Sequence, residues 1–297
     1  RRPAAQDVHE PQPPGRRPTM DFALSPSADV LRTRLQRFMD DLVLPSLPEW
    51  QRWADAGVYP LDVIEPLKAQ ARELGLWNLF LPSLRDDQPG TRLSHLDYAP
   101  LAEIMGRVPW AAEVFNCSAP DSGNMELLQL FATPAQRTRW LDPLLRGEIR
   151  SCIAMSEPDV GSSDPTQLQT RIVRDGDHWV VNGRKWFITG AAHPNCRLAV
   201  VIGRSDDGTD ARDAADPDPP HHAHSIVLVP MDTPGLVVER NIPVMAHQAL
   251  EGHCEIVLRD VRVPLDHLLG EPGAGFAMAQ ARLGPGRVHH AMRSIGQ

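Results

Sequence analysis

The chain has 297 residues, 42% of them hydrophobic, and a formal net charge of −8. That length suits two packed domains at the usual scale of about 100–200 residues each. The acidic balance argues against a general nucleic-acid or anionic-membrane surface, while leaving room for a local basic pocket. No apolar run reaches the roughly 18 residues of a membrane span, and no apolar segment near the N-terminus reads as a signal peptide. The four cysteines, Cys117, Cys152, Cys196 and Cys254, show neither C-x-x-C nor zinc-finger spacing. They read as reduced, mostly buried thiols of a cytoplasmic protein, with no metal site.

Residues 1–21 are rich in proline and charge and read as a disordered tail. Residues 22–149 read as a helical domain. Ser25-Pro26 caps a helix whose Leu31, Leu35, Phe38, Met39 and Leu42 share a face, and Pro45 and Pro48 are expected to stop it. Pro66 is expected to open a second helix, closed by Gly75. Ser94 caps a third that ends at Gly106. Thr133-Pro134-Ala135-Gln136 is a capping-box start for a helix carrying Trp140, Leu141, Leu144 and Leu145, ended by Gly147.

From residue 150 to 270 the pattern changes to short strands, predicting an antiparallel barrel or sandwich. Candidates are 150–155, 170–174, 179–181, 185–189, 198–202, 225–230, 237–239 and 254–261. Asn182-Gly183 between two of them reads as a type I′ hairpin turn. Asp206 to Pro220 is acidic and poor in apolar residues, so it reads as a long exposed loop. His221, His222 and His224 follow it; without a carboxylate or cysteine at defined spacing they read as solvent-exposed rather than ligating. Residues 271–297 return to helical pattern, with Gly284-Pro285-Gly286 as a potential break.

Two polar segments stand at strand ends. Ser156, Ser162 and Ser163 can donate hydrogen bonds to phosphate or carbonyl oxygens, and Gly161 permits close backbone approach. Trp186-Phe187 can present a flat apolar surface. Taken alone, these residues better suit a serine-rich turn without a ligand and a strand with one inward aromatic.

Five motifs carry a resemblance. They are Ser156-Glu157-Pro158 with Gly161-Ser162-Ser163-Asp164, Val181-Asn182-Gly183 with Lys185 and Ile188-Thr189-Gly190, Val229 to Gly235, Val261-Arg262-Val263-Pro264, and Arg282 to His290. In this order they resemble the acyl-CoA dehydrogenases, over about residues 22–297. The last run resembles the branch whose animal members carry the dehydrogenase behind a kinase-like domain. The resemblance implies an α+β multidomain fold with an N-terminal helical bundle, a middle antiparallel β domain and the start of a C-terminal helical domain. It implies FAD held by Ile153, Met155, Ser156, Gly161, Ser162, Phe187, Ile188 and Thr189. Phe187 would stack on the ring where relatives usually have tryptophan, with Trp186 as the neighbouring alternative. Thr189 would lie near flavin N5. Ser163 and Arg287, at the head of the last helix, would face the acyl-CoA substrate.

The implied reaction is α,β-dehydrogenation of an acyl-CoA thioester in fatty acid metabolism. Hydride passes to flavin N5, and electrons then pass to an electron-transfer flavoprotein. A homo-oligomer, dimer or tetramer, is implied. Some relatives carry the catalytic base where Gly286 stands, so the base is expected in a C-terminal region outside this chain. The chain is accordingly expected to be C-terminally truncated and inactive alone. Competing expectations are an acyl-CoA oxidase or flavin monooxygenase on the same fold, or a non-catalytic product.

Overall fold

The computed structural model describes residues 22–206 and 221–297. The expected tail and the expected loop after Asp206 lie outside the described residues. The N-terminal helices are α1 (Pro26–Phe38), α2 (Leu44–Asp55), α3 (Leu61–Glu73), α4 (His95–Gly106), α5 (Ala111–Val114), α6 (Asp121–Phe131), α7 (Pro134–Gln136) and α8 (Asp142–Leu145). Three predicted starts are built as their sequences dictate. Ser25 and Ser94 accept the backbone N–H of Ala28 and Asp97, and Thr133 and Gln136 form a reciprocal capping box.

Prolines were weaker stops than expected. Pro45 and Pro48 do not end the first helix: a π turn, Met39–Val43, joins α1 to α2 without a break in helical backbone. Pro45 falls in the first turn of α2, where its missing N–H costs little, and the widened π turn absorbs the mismatch. Pro66 lies inside α3 rather than at its start.

The middle of the chain forms β1 (Arg150–Ala154), β2 (Arg171–Asp175), β3 (His178–Thr189), β4 (Cys196–Asp206), β5 (His224–Pro230), β6 (Leu236–Asn241), β7 (His253–Pro264) and β8 (Leu268–Leu269). All eight join one sheet in the order β6-β7-β3-β2-β4-β5-β8, with β1 paired to β4 outside that path. It is antiparallel except that β1 and β2 both run parallel to β4, along successive stretches of its length. β4 and β5 are continuously apolar because both faces are buried. Leu198, Val200, Ile202, Ile226 and Leu228 pack into the helical core. Ala199, Val201, Val227 and Val229 point the opposite way, into a second core with Trp179, Ile256 and Val263. Strands β5 and β7 are not neighbours in the sheet yet share that core, so the sheet curls over itself.

Asn182-Gly183 is not a turn. Both residues lie inside the twelve-residue β3, and the hairpin to β2 closes at Gly176-Asp177, with Gly176 at φ +61°. Glycine at 183 serves close packing instead: a Cβ there would lie 2.3 Å from Thr170 Oγ1. The Asn182 amide donates to Asp260 Oδ1 at 3.1 Å and its carbonyl accepts from Asp260 N at 2.8 Å, filling an irregularity in the β3–β7 ladder.

The last helix, α9 (Gly275–Gly296), runs through Gly284-Pro285-Gly286 unbroken and packs on α4 and α6. Arg287 therefore lies mid-helix, not at its head. Gly106 and Gly296 allow the α4–α9 approach; a Cβ at Gly106 would lie 2.0 Å from Arg293 O. A buried charged network joins the helices to the sheet. Arg150 at the start of β1 is held by Asp121 and, at 2.5 Å, by Glu113; Glu113 also accepts from Tyr59 and lies 3.2 Å from His193 Nε2.

Candidate functional site

β1 ends at Ala154, and the chain leaves the sheet as a loop before re-entering at β2. That exit sits beside the C-terminal half of β3. The Trp186 N–H donates to Ser156 O at 3.0 Å, so the two polar segments meet directly. Between Lys185, paired with Ile256, and Ile188, paired with Cys254, β3 holds one residue more than β7. This bulge turns two consecutive aromatics out of the ladder. Phe187 takes the left-handed φ of +51° and is 43% exposed. Trp186 is half-buried, its ring centroid 4.7 Å from that of Phe187.

A buried ion pair holds this geometry. Lys185 Nζ, fully buried, donates to Met155 O at 2.8 Å, Ile202 O at 2.6 Å and Glu157 Oε1 at 2.9 Å. Glu157 in turn accepts the backbone N–H of Gln169 at 2.6 Å and of Thr170 at 2.9 Å. One carboxylate thus fastens both ends of the loop. Burial pushes the Lys185 ammonium down to about 8, with Glu157 opposing. Burial also resists the charge on Glu157, but Lys185 outweighs it and holds the carboxyl below its ordinary range. The motif reading had assigned neither residue a role. A lone lysine on the inward-facing parity of an apolar strand was the available signal, because a buried ammonium requires a partner.

The expected site residues are distributed as follows. Ile153 and Met155 pack partly buried against the helical core. Ile188 is buried in the second core, so only its backbone faces the site. The Ser162 hydroxyl serves the loop itself, accepting from Glu157 N at 2.8 Å and lying 3.1 Å from Glu157 O as donor. Among the described residues the hydroxyls of Ser156 and Ser163 have no hydrogen-bond partner, and a Cβ on Gly161 would meet nothing within 4 Å. Thr189 Oγ1 lies 2.9 Å from His253 Nδ1 on the neighbouring strand. Arg287 is exposed on α9, and no hydrogen bond or ion pair among the described residues ties it to the loop. His221, His222 and His224 do not share one environment. His224 is buried at 1% exposure, contrary to expectation, and His221 packs on Phe276 with ring centroids 4.3 Å apart. β5 carries His224 beneath the start of α9, which is why its side chain is covered.

Residues 25–148 match the N-terminal domain, and residues 152–261 the middle domain, of acyl-CoA dehydrogenases. This chain belongs to the acyl-CoA dehydrogenase family. A probable acyl-CoA dehydrogenase of Mycobacterium tuberculosis is 48% identical over 283 residues, covering 93% of this chain and 66% of the relative. Human acyl-CoA dehydrogenase family member 11 is 43% identical over 271 residues, which are 89% of this chain and 33% of that protein. The solved structure of a putative acyl-CoA dehydrogenase from Mycobacterium abscessus superposes with a TM-score of 0.81 at 44% identity, covering 93% of this chain and 68% of that one. The chain thus spans about two thirds or less of the relatives it matches. The helical and antiparallel-rich layers expected from the sequence are those of the family. Among the described residues no helix is long and apolar enough to cross a membrane.

Proposed function

We propose that the protein is part of an FAD-dependent acyl-CoA dehydrogenase acting on the α,β bond of an acyl-CoA thioester. The observation that carries this reading is the junction at Trp186 N and Ser156 O. It sets an exposed aromatic face beside a loop in which, among the described residues, the hydroxyls of Ser156 and Ser163 are uncommitted. A flavin needs such a set: a flat apolar neighbour, ring-edge partners and pyrophosphate donors. Family membership supports FAD as the group, and these residues fit it. Bound FAD would accept the two electrons and the β-hydrogen that leave the acyl group.

In this reading Phe187, with Trp186 beside it, covers one face of the ring. The backbones of Ile153, Met155, Ser156 and Ile188 border its edge. Gly161 lets the loop approach the pyrophosphate, and Ser162 keeps the loop in the shape that does so. Thr189, held by His253, presents its hydroxyl near the reacting edge. Ser163 and the exposed Arg287 supply hydrogen bonds and positive charge for the anionic thioester. No residue of the chain is assigned as the base that removes the α-proton. An electron-transfer flavoprotein as acceptor and a homo-oligomeric assembly follow from the family resemblance. Four free and buried thiols support a reducing compartment, the cytoplasm.

The test takes the chain carried to the full length of its relatives, reconstitutes it with FAD and FMN in parallel, and titrates it anaerobically with a panel of acyl-CoA thioesters. We expect retained FAD, identified chromatographically after heat release, and loss of the oxidised flavin band with at least one thioester. Retention of FMN alone, or of no flavin, would remove the proposal. Rapid reoxidation by dioxygen would move it to an oxidase on the same fold.

A further inference from the structure

Away from the loop, three helices bring together a second cluster. His95 opens α4, Glu126 lies in α6 and His289 lies in α9. One ligand atom from each lies within 4.8 Å of the other two. His289 is completely buried, and neither of its ring nitrogens has a hydrogen-bond partner among the described residues. Glu126 is 6% exposed, and its Oε2 is likewise without a partner. The His289 ring is walled by Phe80, Tyr98 and His95, at centroid distances of 5.9, 5.2 and 5.3 Å. Buried polar atoms are nearly always satisfied, and two such residues aimed at one point require a shared explanation.

We propose that His95, Glu126 and His289 form a binding site for a divalent transition-metal cation of the zinc type. Two imidazole nitrogens and one carboxylate oxygen are a set that Zn²⁺ takes readily, with a fourth position left for solvent or another ligand. Bonds of about 2.0–2.2 Å place tetrahedral ligand atoms about 3.4 Å apart, so the side chains need to draw in by no more than about 1.4 Å. His95, only half-buried, and the flexible Glu126 can supply that by χ rotation. Calcium and magnesium favour oxygen-only sets and do not suit the two imidazoles. Arg282, about two turns before His289, faces Glu126 electrostatically and donates to Pro120 O at 3.1 Å. Its charge works against a dication, and Glu126 is the one acid of the cluster that offsets it. A bound ion would tie α9 to α4 and α6, fixing the last helix to the helical core at its centre. The sequence pattern His221-His222-x-His224 is not this site: His224 is buried at the start of α9 and His221 packs on Phe276.

The experiment strips the chain with EDTA, desalts it, and titrates it with ZnCl₂ or MgCl₂. We expect one equivalent of zinc retained by elemental analysis, a rise in melting temperature with zinc and none with magnesium. Co²⁺ is expected to give the visible bands of a four- or five-coordinate site. His95→Gln, Glu126→Gln and His289→Gln should each lower zinc affinity at least about 100-fold, beyond the roughly 10–100-fold typical of losing a neighbour of a ligand. His222→Gln should leave it unchanged. Should His289→Gln fail to fold by circular dichroism, the half-buried His95 and the near-isosteric Glu126→Gln variant decide the matter. Zinc affinity unchanged in both of these, absence of retained zinc, or loss of zinc only in His222→Gln would overturn the proposal.

Discussion

Phe187 holds a backbone conformation that aromatic residues seldom take, at φ +51°, and exposes its ring to do so. Such strain costs on the order of 1–3 kcal/mol and persists where the surroundings impose it. Phe187→Gly separates fold from function. It should stabilise the chain by about 1 kcal/mol in denaturant unfolding, because glycine accepts this φ freely. It should also weaken FAD retention if the ring covers the flavin. A variant that loses both stability and flavin, or neither, contradicts that assignment. Lys185→Met makes the opposite case. It leaves Glu157 charged and buried without its partner, for a loss of about 3–5 kcal/mol. It also releases Met155 O, and with it the start of the loop. Sequence reading found the loop by its serines and glycine. It missed the lysine beneath, because the pairing of Lys185 with Glu157 spans 28 positions and exists only once β1 and β3 lie side by side.

Helix caps were legible because a cap is a local bargain between a hydroxyl and an N–H two or three residues on. Ser25, Ser94 and Thr133 all keep it. Glycines and prolines were misread wherever tertiary packing sets their role. Gly183 is glycine for the sake of Thr170, not for a turn. Pro45 and Pro285 lie in continuous helix. The same contrast yields paired predictions on α9 and its neighbour. At Gly284 a Cβ meets nothing within 4 Å, so Gly284→Ala should stabilise the helix by about 0.5–1 kcal/mol. At Gly106 a Cβ would lie 2.0 Å from Arg293 O, so Gly106→Ala should destabilise by about 1–3 kcal/mol as α4 and α9 are forced apart. Thermal melts of the two variants against the parent should move in opposite directions.

Across the whole molecule, helices and sheet are joined by the ions around Arg150. Burial resists ionisation of Glu113, but Arg150, with His193, outweighs it and holds the carboxyl well below its usual range. A carboxyl depressed in the folded state contributes stability above its unfolded value of about 4.5, and that contribution is lost as pH falls below it. Glu113→Gln should therefore cost about 3–5 kcal/mol at pH 7 and progressively less as pH falls below about 4.5, where the carboxyl of the unfolded parent takes up a proton while the folded one stays charged. A stability difference independent of pH would refute this. The strand β4 has a further consequence. β5 covers one of its edges, while β1 and then β2 share the other. The amides of residues 198–201 therefore sit at a hub, between the β1 and β5 ladders and between two cores. Their hydrogens should exchange with deuterium only when the entire molecule opens. The span between β1 and β2, which leaves β4 at the seam where one partner yields to the next, carries little of this ladder. It should exchange early, so the loop proposed to meet the flavin can rearrange while the hub stays shut.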